Sequence, residues 1–391
     1  MAINFRASKA NVRGSVISID PLSKTIQFCT ANEAGDDLSI SIANYKDRAF
    51  DTEQLDRIGK TVKAQLEKNP ETDISRSSLI LPDRLFMLDM VNIPVIHRKA
   101  MQHSLSLAIE SIYNNAGDLN LMTYGVQQTK QTATYGLVGI RRDLLENINN
   151  TFAQNGVTAA GVTFASNAMV NGAMALNSKL RGETFMLLDI KGEYARYAIV
   201  VRGCTMGYYD LPFGYSMMYK SRIASEDMLF DHRAGELLVL NAKEKARAKQ
   251  LTMEGSFAPE AANGEEGTPT YEIAQDGTLS KNGRKLPKFM QRPIPRTKEE
   301  FIYDNFRIFI KWALDLINNN RETVSLAKLD TVYINMPSEY SFLFDIVNKK
   351  HEGRGINFAP LMPEDSDSAL SANLELYGGF FLNKYNEANT F

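Results

Sequence analysis

The chain has 391 residues, more than one ordinary domain, and 44% of them are hydrophobic, which suits a globular protein of two lobes. Lys and Arg number 44 against 46 Asp and Glu, a net charge of −2, so no broad field favours nucleic acid or an anionic membrane. Only two cysteines occur, Cys29 and Cys204, both in apolar runs; no disulfide framework is implied, and a reducing compartment fits. The opening residues lack the apolar core of a signal peptide, and no apolar run reaches the ~18 residues of a membrane span. A soluble, cytoplasmic protein is expected.

The first elements read as strands. Val16–Ile19 and Ile26–Cys29 flank a polar turn, and Leu38–Ile42 follows. Asp51 and Gln54 then form a capping box, and Leu55, Ile58, Val62 and Leu66 share one helical face. Asn69-Pro70 ends that helix, and Ser78–Pro82 reads as a buried strand. A compact module follows. Leu85–Asn92 is strand-like, and Met101, Leu105, Ala108, Ile109 and Ile112 stripe a helix. Leu121–Gln128 and Thr132–Ile140 pair as a hairpin, Leu144 to Phe152 stripe a second helix, and Val157–Phe164 returns extended. This reads as a βαββαβ-like insertion over 85–164, following a first lobe over 1–84.

A second lobe is expected over 165–391. It opens with a helical stretch and a hairpin, Phe185–Val201, followed by Cys204–Leu211. Two helices are expected at 215–230 and 233–250. Residues 252–296 are rich in Gly, Pro, Glu, Thr and Ala and read as a mostly mobile insertion. Within it, Asp276-Gly277 signals a hairpin. Thr297 and Glu300 cap a long helix whose face carries Asn305, Ile308 and Trp312, widened by Phe306, Phe309 and Ala313. Core packing explains those aromatics better than a binding box. Leu329–Met336 is a strand, Ser338–Asn348 a helix, Asn357–Leu361 a strand and Ser371–Leu382 a final helix. Each half thus begins with a hairpin around an aspartate, Asp20 and Asp189.

That order is similar to the two-lobed actin-like (ribonuclease H-like) ATPase fold, an α/β class, with a small α+β subdomain inserted in the first lobe. More specifically, the chain resembles the PilM-type actin-like proteins of type IV pilus assembly, relatives of FtsA. The tract Val91-Asn-Ile-Pro94 before a helix with Glu110-Ser-Ile-Tyr-Asn-Asn near its end carries the likeness. So does Leu137-Val-Gly-Ile-Arg141 running into an amphipathic helix and Asn155-Gly156-Val157. The resemblance runs from about Gly14 to Tyr385.

The resemblance implies a nucleotide cleft at Asp20, Ser23, Lys24, Thr25, Asp189, Lys191, Gly192 and Ser338. Such clefts need glycines, because backbone N–H groups must approach phosphate closely. Here the first hairpin has Pro21-Leu22 where the family has Ile-Gly. The second has Lys191 and Ala195 where the family has Gly and Thr, and Gly192 lies one residue late. The strand Val332–Met336 ends in Pro337-Ser338-Glu339 instead of Gly-Gly. The expectation is therefore an actin-like scaffold with nucleotide binding weak or lost, and with no cofactor; the alternative is a working ATPase that closes on ATP with Mg. No catalytic residue and no metal site is expected: His97, His103, His232 and His351 are scattered, and Gly-x-Ser-x-Gly is absent. The resemblance further implies a PilN-like single-pass membrane partner, bound through its cytoplasmic tail beside the 85–164 module. Other pilus inner-membrane or motor components and self-association follow from the same likeness. The protein would lie at the inner face of the cell membrane through its partners, without inserting. A membrane-tethered FtsA-like filament fits less well, since LNKYNEANTF has no apolar stripe. A sugar kinase would need the missing phosphate glycines.

Overall fold

The structure is a computed structural model. It describes residues 14–31, 38–44, 52–68, 74–113, 116–216, 218, 271–273, 279–281, 284–285, 298–320, 329–353, 355–362 and 368–382. Apart from Tyr215, Ser216 and Met218, the expected helices at 215–230 and 233–250 lie outside them, as does all of 252–296 except three short strands. So do Asp51 and Thr297, the expected capping residues.

Two five-stranded sheets share one plan. In the first, β1 (Ser15–Asp20), β2 (Thr25–Ala31) and β3 (Leu38–Asn44) form an antiparallel meander. Helix α1 (Thr52–Lys68) leads to β4 (Arg76–Leu81), which lies parallel to β1. In the second, β9 (Thr184–Ile190), β10 (Ala195–Val201) and β11 (Cys204–Leu211) repeat the meander. Helix α5 (Lys298–Asn320) leads to β15 (Thr331–Asn335), parallel to β9. Each sheet then gains a second parallel strand, β8 (Thr158–Phe164) on β4 and β16 (Asn357–Pro360) on β15. Strands β1 and β10 are buried along their whole length, and β9 at all but its first residue, as strands covered on both faces must be. Helix α5 buries Phe306, Ile308, Phe309, Trp312 and Ala313, so its aromatic face is core. The 271–281 hairpin forms as expected, β12 (Tyr271–Ile273) on β13 (Leu279–Lys281), with β14 (Arg284–Lys285) beside it.

The inserted module is smaller than its sequence suggests. Strands β5 (Phe86–Pro94), β6 (Leu119–Gln128) and β7 (Thr132–Arg141) form an antiparallel sheet in the order β5-β7-β6. Helix α2 (Arg98–Ile112) lies against β5. But α3 (Arg142–Gln154) packs on α1, and β8 pairs with β4. Both belong with the first sheet rather than with a βαββαβ unit. Parallel pairing joins segments across long crossovers, and β8 finds β4 only after the whole module has intervened. Phe86, Tyr124, Val126, Val138 and Ile140 join the same apolar cluster as both lobes. The Tyr124 hydroxyl donates to the Thr205 carbonyl at 2.8 Å, tying the module to β11.

Two helices cross where the lobes meet. Helix α4 (Ala165–Leu176) follows β8. The expected final helix is broken at Asn373 into α7 (Ser368–Ala372) and α8 (Leu374–Gly379), α6 (Phe342–His351) lying earlier in the chain. Ala165 and Ala168 pack with first-sheet Val16 and Ile80, whereas Met169 to Met174 pack with second-sheet Phe185 and Leu187. The crossing is backbone against backbone. A Cβ on Gly378 would lie 1.7 Å from the Ala168 carbonyl oxygen, and one on Gly172 2.1 Å from that of Leu374. Gly378→Ala must push the helices apart, a cost of about 1–3 kcal/mol or more. Thermal denaturation followed by circular dichroism is expected to show a clear loss for Gly378→Ala. Gly182→Ala, where a Cβ meets nothing within 4 Å, is expected to melt as wild type. Equal melting of the two variants would refute the tight crossing.

Candidate functional site

The duplicated topology brings the two hairpin ends, and with them Asp20 and Asp189, to the seam above this crossing. Both aspartates are buried. In the first turn, Asp20 Oδ1 accepts from Leu22 N–H at 2.9 Å, folding the turn on itself. The Ser23 and Thr25 hydroxyls bond each other at 2.6 Å. Lys24 takes a left-handed conformation, φ 58°, and its side chain is exposed. Asp20 Oδ2 faces the other lobe, where it accepts from the Tyr194 hydroxyl at 2.8 Å.

The second turn is covered by backbone. Lys191 N–H donates to the Tyr194 carbonyl at 2.8 Å. Tyr215 N–H donates to the Lys191 carbonyl at 2.8 Å, and Ser216 N–H to that of Gly192 at 3.0 Å. Gly214 makes this approach, since a Cβ there would lie 1.9 Å from the Lys191 carbonyl oxygen. At Gly192, by contrast, a Cβ would meet only the Tyr215 hydroxyl at 3.7 Å. Asp189 Oδ1 accepts from Asn335 Nδ2 at 2.8 Å, and the Lys191 ammonium lies 3.1 Å from Oδ2. Both donors reach further: Asn335 Nδ2 to the Ser371 carbonyl at 2.8 Å, and Lys191 Nζ to that of Ala372 at 2.6 Å. Ser338 is exposed, and its carbonyl accepts from Ser341 N–H at 3.0 Å.

Beside these turns lies a buried charge cluster. Arg196 Nε is 2.9 Å from Asp210 Oδ1 and 3.3 Å from Asp83 Oδ2, and Nη1 is 2.7 Å from Glu375 Oε2. Asp83 also caps α4, accepting from Ser166 N–H and Oγ at 2.8 Å each. Glu375 Oε1 accepts from the Ser18 hydroxyl. Three carboxylates thus share one guanidinium, Asp83 and Glu375 out of water and Asp210 partly exposed. Burial pushes the Asp83 carboxyl up to about 7 against the pull of Arg196, with Asp210 adding to the rise. Burial likewise raises Glu375, opposed by Arg196.

Of the eight expected cleft positions, Asp189 and Lys191 touch, and Asp20 joins them through the opposite hairpin. Ser23, Lys24, Thr25 and Ser338 make no contact with either aspartate's far oxygen. Tyr194, Arg196, Asn335, Asp83 and Glu375 were not among the expected positions. One signal marked Arg196, a charge within the apolar strand Ala195–Val201 that demands buried partners. Among the described residues, no group of three or more His, Cys, Asp or Glu suits a metal ion. Cys29 and Cys204 are buried and not joined in a disulfide.

A carboxyl held above its ordinary range binds a proton in the folded state before it does so unfolded. Its stabilising contribution is full at low pH and is lost as pH rises through about 7. Asp83→Asn removes this titration. The melting temperature of wild type, compared with Asp83→Asn between pH 5 and 8, is expected to fall more steeply with pH. Parallel curves would contradict the raised Asp83.

No family model matches the chain, and no curated protein matches it. Among solved structures it is similar to a PilM-PilN type IV pilus biogenesis complex at a TM-score of 0.53 and 11% identity, covering 94% of this chain and 98% of that chain. Lower similarities include MreB5 of Spiroplasma citri bound to ADP, at a TM-score of 0.37 and 12% identity, covering 96% and 98%. Another is the cytoplasmic domain of EpsL, an inner membrane component of the type II secretion system of Vibrio cholerae, at a TM-score of 0.34 and 12% identity, covering 50% and 71%. At these identities the likeness is one of fold: the chain has the two-lobed actin-like α/β architecture found in PilM, as its sequence led us to expect.

Proposed function

We propose that this protein is an actin-like scaffold of a type IV pilus or related secretion machine. In this reading its nucleotide cleft is closed by its own side chains, and it takes up the cytoplasmic tail of a PilN-like membrane partner. The observation that carries the first part is the occupancy of both hairpin aspartates. The oxygens that would face a hydrated metal accept from Tyr194 and Asn335 or pair with Lys191. The backbone of the second turn is already bonded to Tyr215 and Ser216. These residues fit a protein–protein seam better than a phosphate with its metal, so no catalytic step is derived through a nucleotide.

The second part rests on the module. None of the described side chains of α2 is fully buried, which leaves that helix short of packing partners. A groove of about 840 Å³ lies between the module and the start of α3. Met87, Ile112 and Leu119 supply apolar lining, and Arg141, Asp143 and Glu146 supply charge. Tyr113 also lines it, with a buried hydroxyl that has no partner among the described residues. An apolar groove with a charged rim suits a short peptide held by one or two anchoring side chains. The similar solved complex pairs PilM with PilN, which is why a PilN-like tail is the occupant proposed.

Two measurements test the two parts separately. Millimolar Mg-ATP is expected to leave the melting temperature unchanged; a ligand at 100 times its dissociation constant would stabilise by about 2.7 kcal/mol. A clear upward shift favours the ATPase alternative. For the groove, titration calorimetry with the tail peptide of the genetically linked membrane protein is expected to show binding. Met87→Glu/Ile112→Glu is expected to weaken it at least tenfold, since half-exposed side chains can be changed there without opening the core. Equal affinity for the variant would move the site elsewhere.

A further inference from the structure

The contacts that fill the cleft also join the lobes. Tyr194 of the second lobe reaches Asp20 of the first. Arg196 of the second reaches Asp83 of the first directly, and Ser18 through Glu375. Within the second lobe, Lys191 and Asn335 hold Ala372 and Ser371, the two residues at the end of α7, just ahead of α8. Opening the lobes would part the contacts of Tyr194 and Arg196 with the first lobe. In a two-lobed protein that closes around a ligand, the ligand supplies the bridging charge. Here a guanidinium and a phenol supplied by the chain bridge the lobes.

We propose that Tyr194 and Arg196 form a built-in clamp, backed by Lys191 within the second lobe, that holds the lobes in one closed arrangement without any ligand. The inference rests on the reading of a cleft closed to nucleotide and goes beyond it. A cleft can lose its nucleotide and be left loose, whereas a clamped cleft makes the protein a rigid platform with a single interlobe geometry. The energetic argument is local. Arg196 is nearly without solvent, its side chain 4% exposed, so opening the seam would strand it from Asp83 and Glu375 or require it to rehydrate with both. Removing one partner of a buried ion pair is strongly unfavourable. Lys191 and Tyr194 act at the rim, where each closes one aspartate.

Spin labels on Ser39→Cys and Lys349→Cys report the separation of the lobes, both positions being exposed. The native cysteines are buried and do not compete for label. The labelled full chain is expected to give one narrow distance distribution, the same with and without millimolar Mg-ATP. Arg196→Gln is expected to broaden it towards longer distances. Because loss of a buried cation can unfold a chain, Tyr194→Phe is the second variant; it removes the hydroxyl that reaches Asp20 while leaving Arg196 in place, and the same broadening is expected. A distribution that stays narrow in the folded variants overturns the clamp and leaves the nucleotide-free reading standing. A wild-type distribution that shifts with Mg-ATP overturns that reading itself.

Discussion

One guanidinium sets the terms for the rest of the molecule. Arg196 lies in a strand whose seven residues are all buried, and an unpaired charge there would cost several kcal/mol. Its environment answers with three carboxylates, each from a different segment: Asp83 after β4, Asp210 on β11 and Glu375 on α8. None of the three can shift without exposing or orphaning the charge. Asp83 is also the cap of α4, and Glu375 the partner of Ser18 in β1. One side chain therefore couples the register of the second sheet to the start of the crossing helix, to the last helix and to the first strand.

The duplicated sheet plan explains why this is possible. Two meanders, each followed by two parallel strands, present equivalent hairpin ends to one another. Asp20 pairs across its turn with Thr25, and Asp189 pairs with Arg196. The cross-strand neighbour of the second aspartate is thus Arg196. The glycine contacts at Gly172 and Gly378 bring α4 and α8 close enough for Glu375 to reach both Ser18 and Arg196. Helix crossing and charge cluster are parts of one arrangement, since larger residues at the crossing would lift Glu375 away from the seam.

Much of this architecture was legible in the residues. Alternation and turn chemistry located both Asp-bearing hairpins, and the stripe on α5 announced a core helix. The errors were topological. Strand β8 reads as part of the module because it follows it, but its hydrogen bonds go to β4, formed some 80 residues earlier. Helix α8 reads as a continuation of α7 because nothing in Ala372-Asn373-Leu374 is a strong breaker. At the site, the absence of glycine at the expected phosphate positions was visible, whereas the groups that bond Asp20 and Asp189 were not. Arg196 and Glu375 are 179 residues apart, and no local pattern relates them. A lone arginine among Ala, Tyr, Ile and Val signals that partners exist without saying where.

The retention of Asp20 and Asp189 then has a physical reason apart from any nucleotide. A carboxylate at a buried hairpin end is tolerable only with donors on both oxygens. Here each has a full set, Leu22 and Tyr194 for one, Asn335 and Lys191 for the other. A nucleotide entering this seam would have to displace hydrogen bonds to charged groups, each worth roughly 1.5–3 kcal/mol. Micromolar binding amounts to about 8 kcal/mol in all, so displacing two such bonds would consume much of it. The same two aspartates that suit a metal-bound phosphate in an open cleft are, with Tyr194, Asn335 and Lys191 in place, anchors for the protein's own donors.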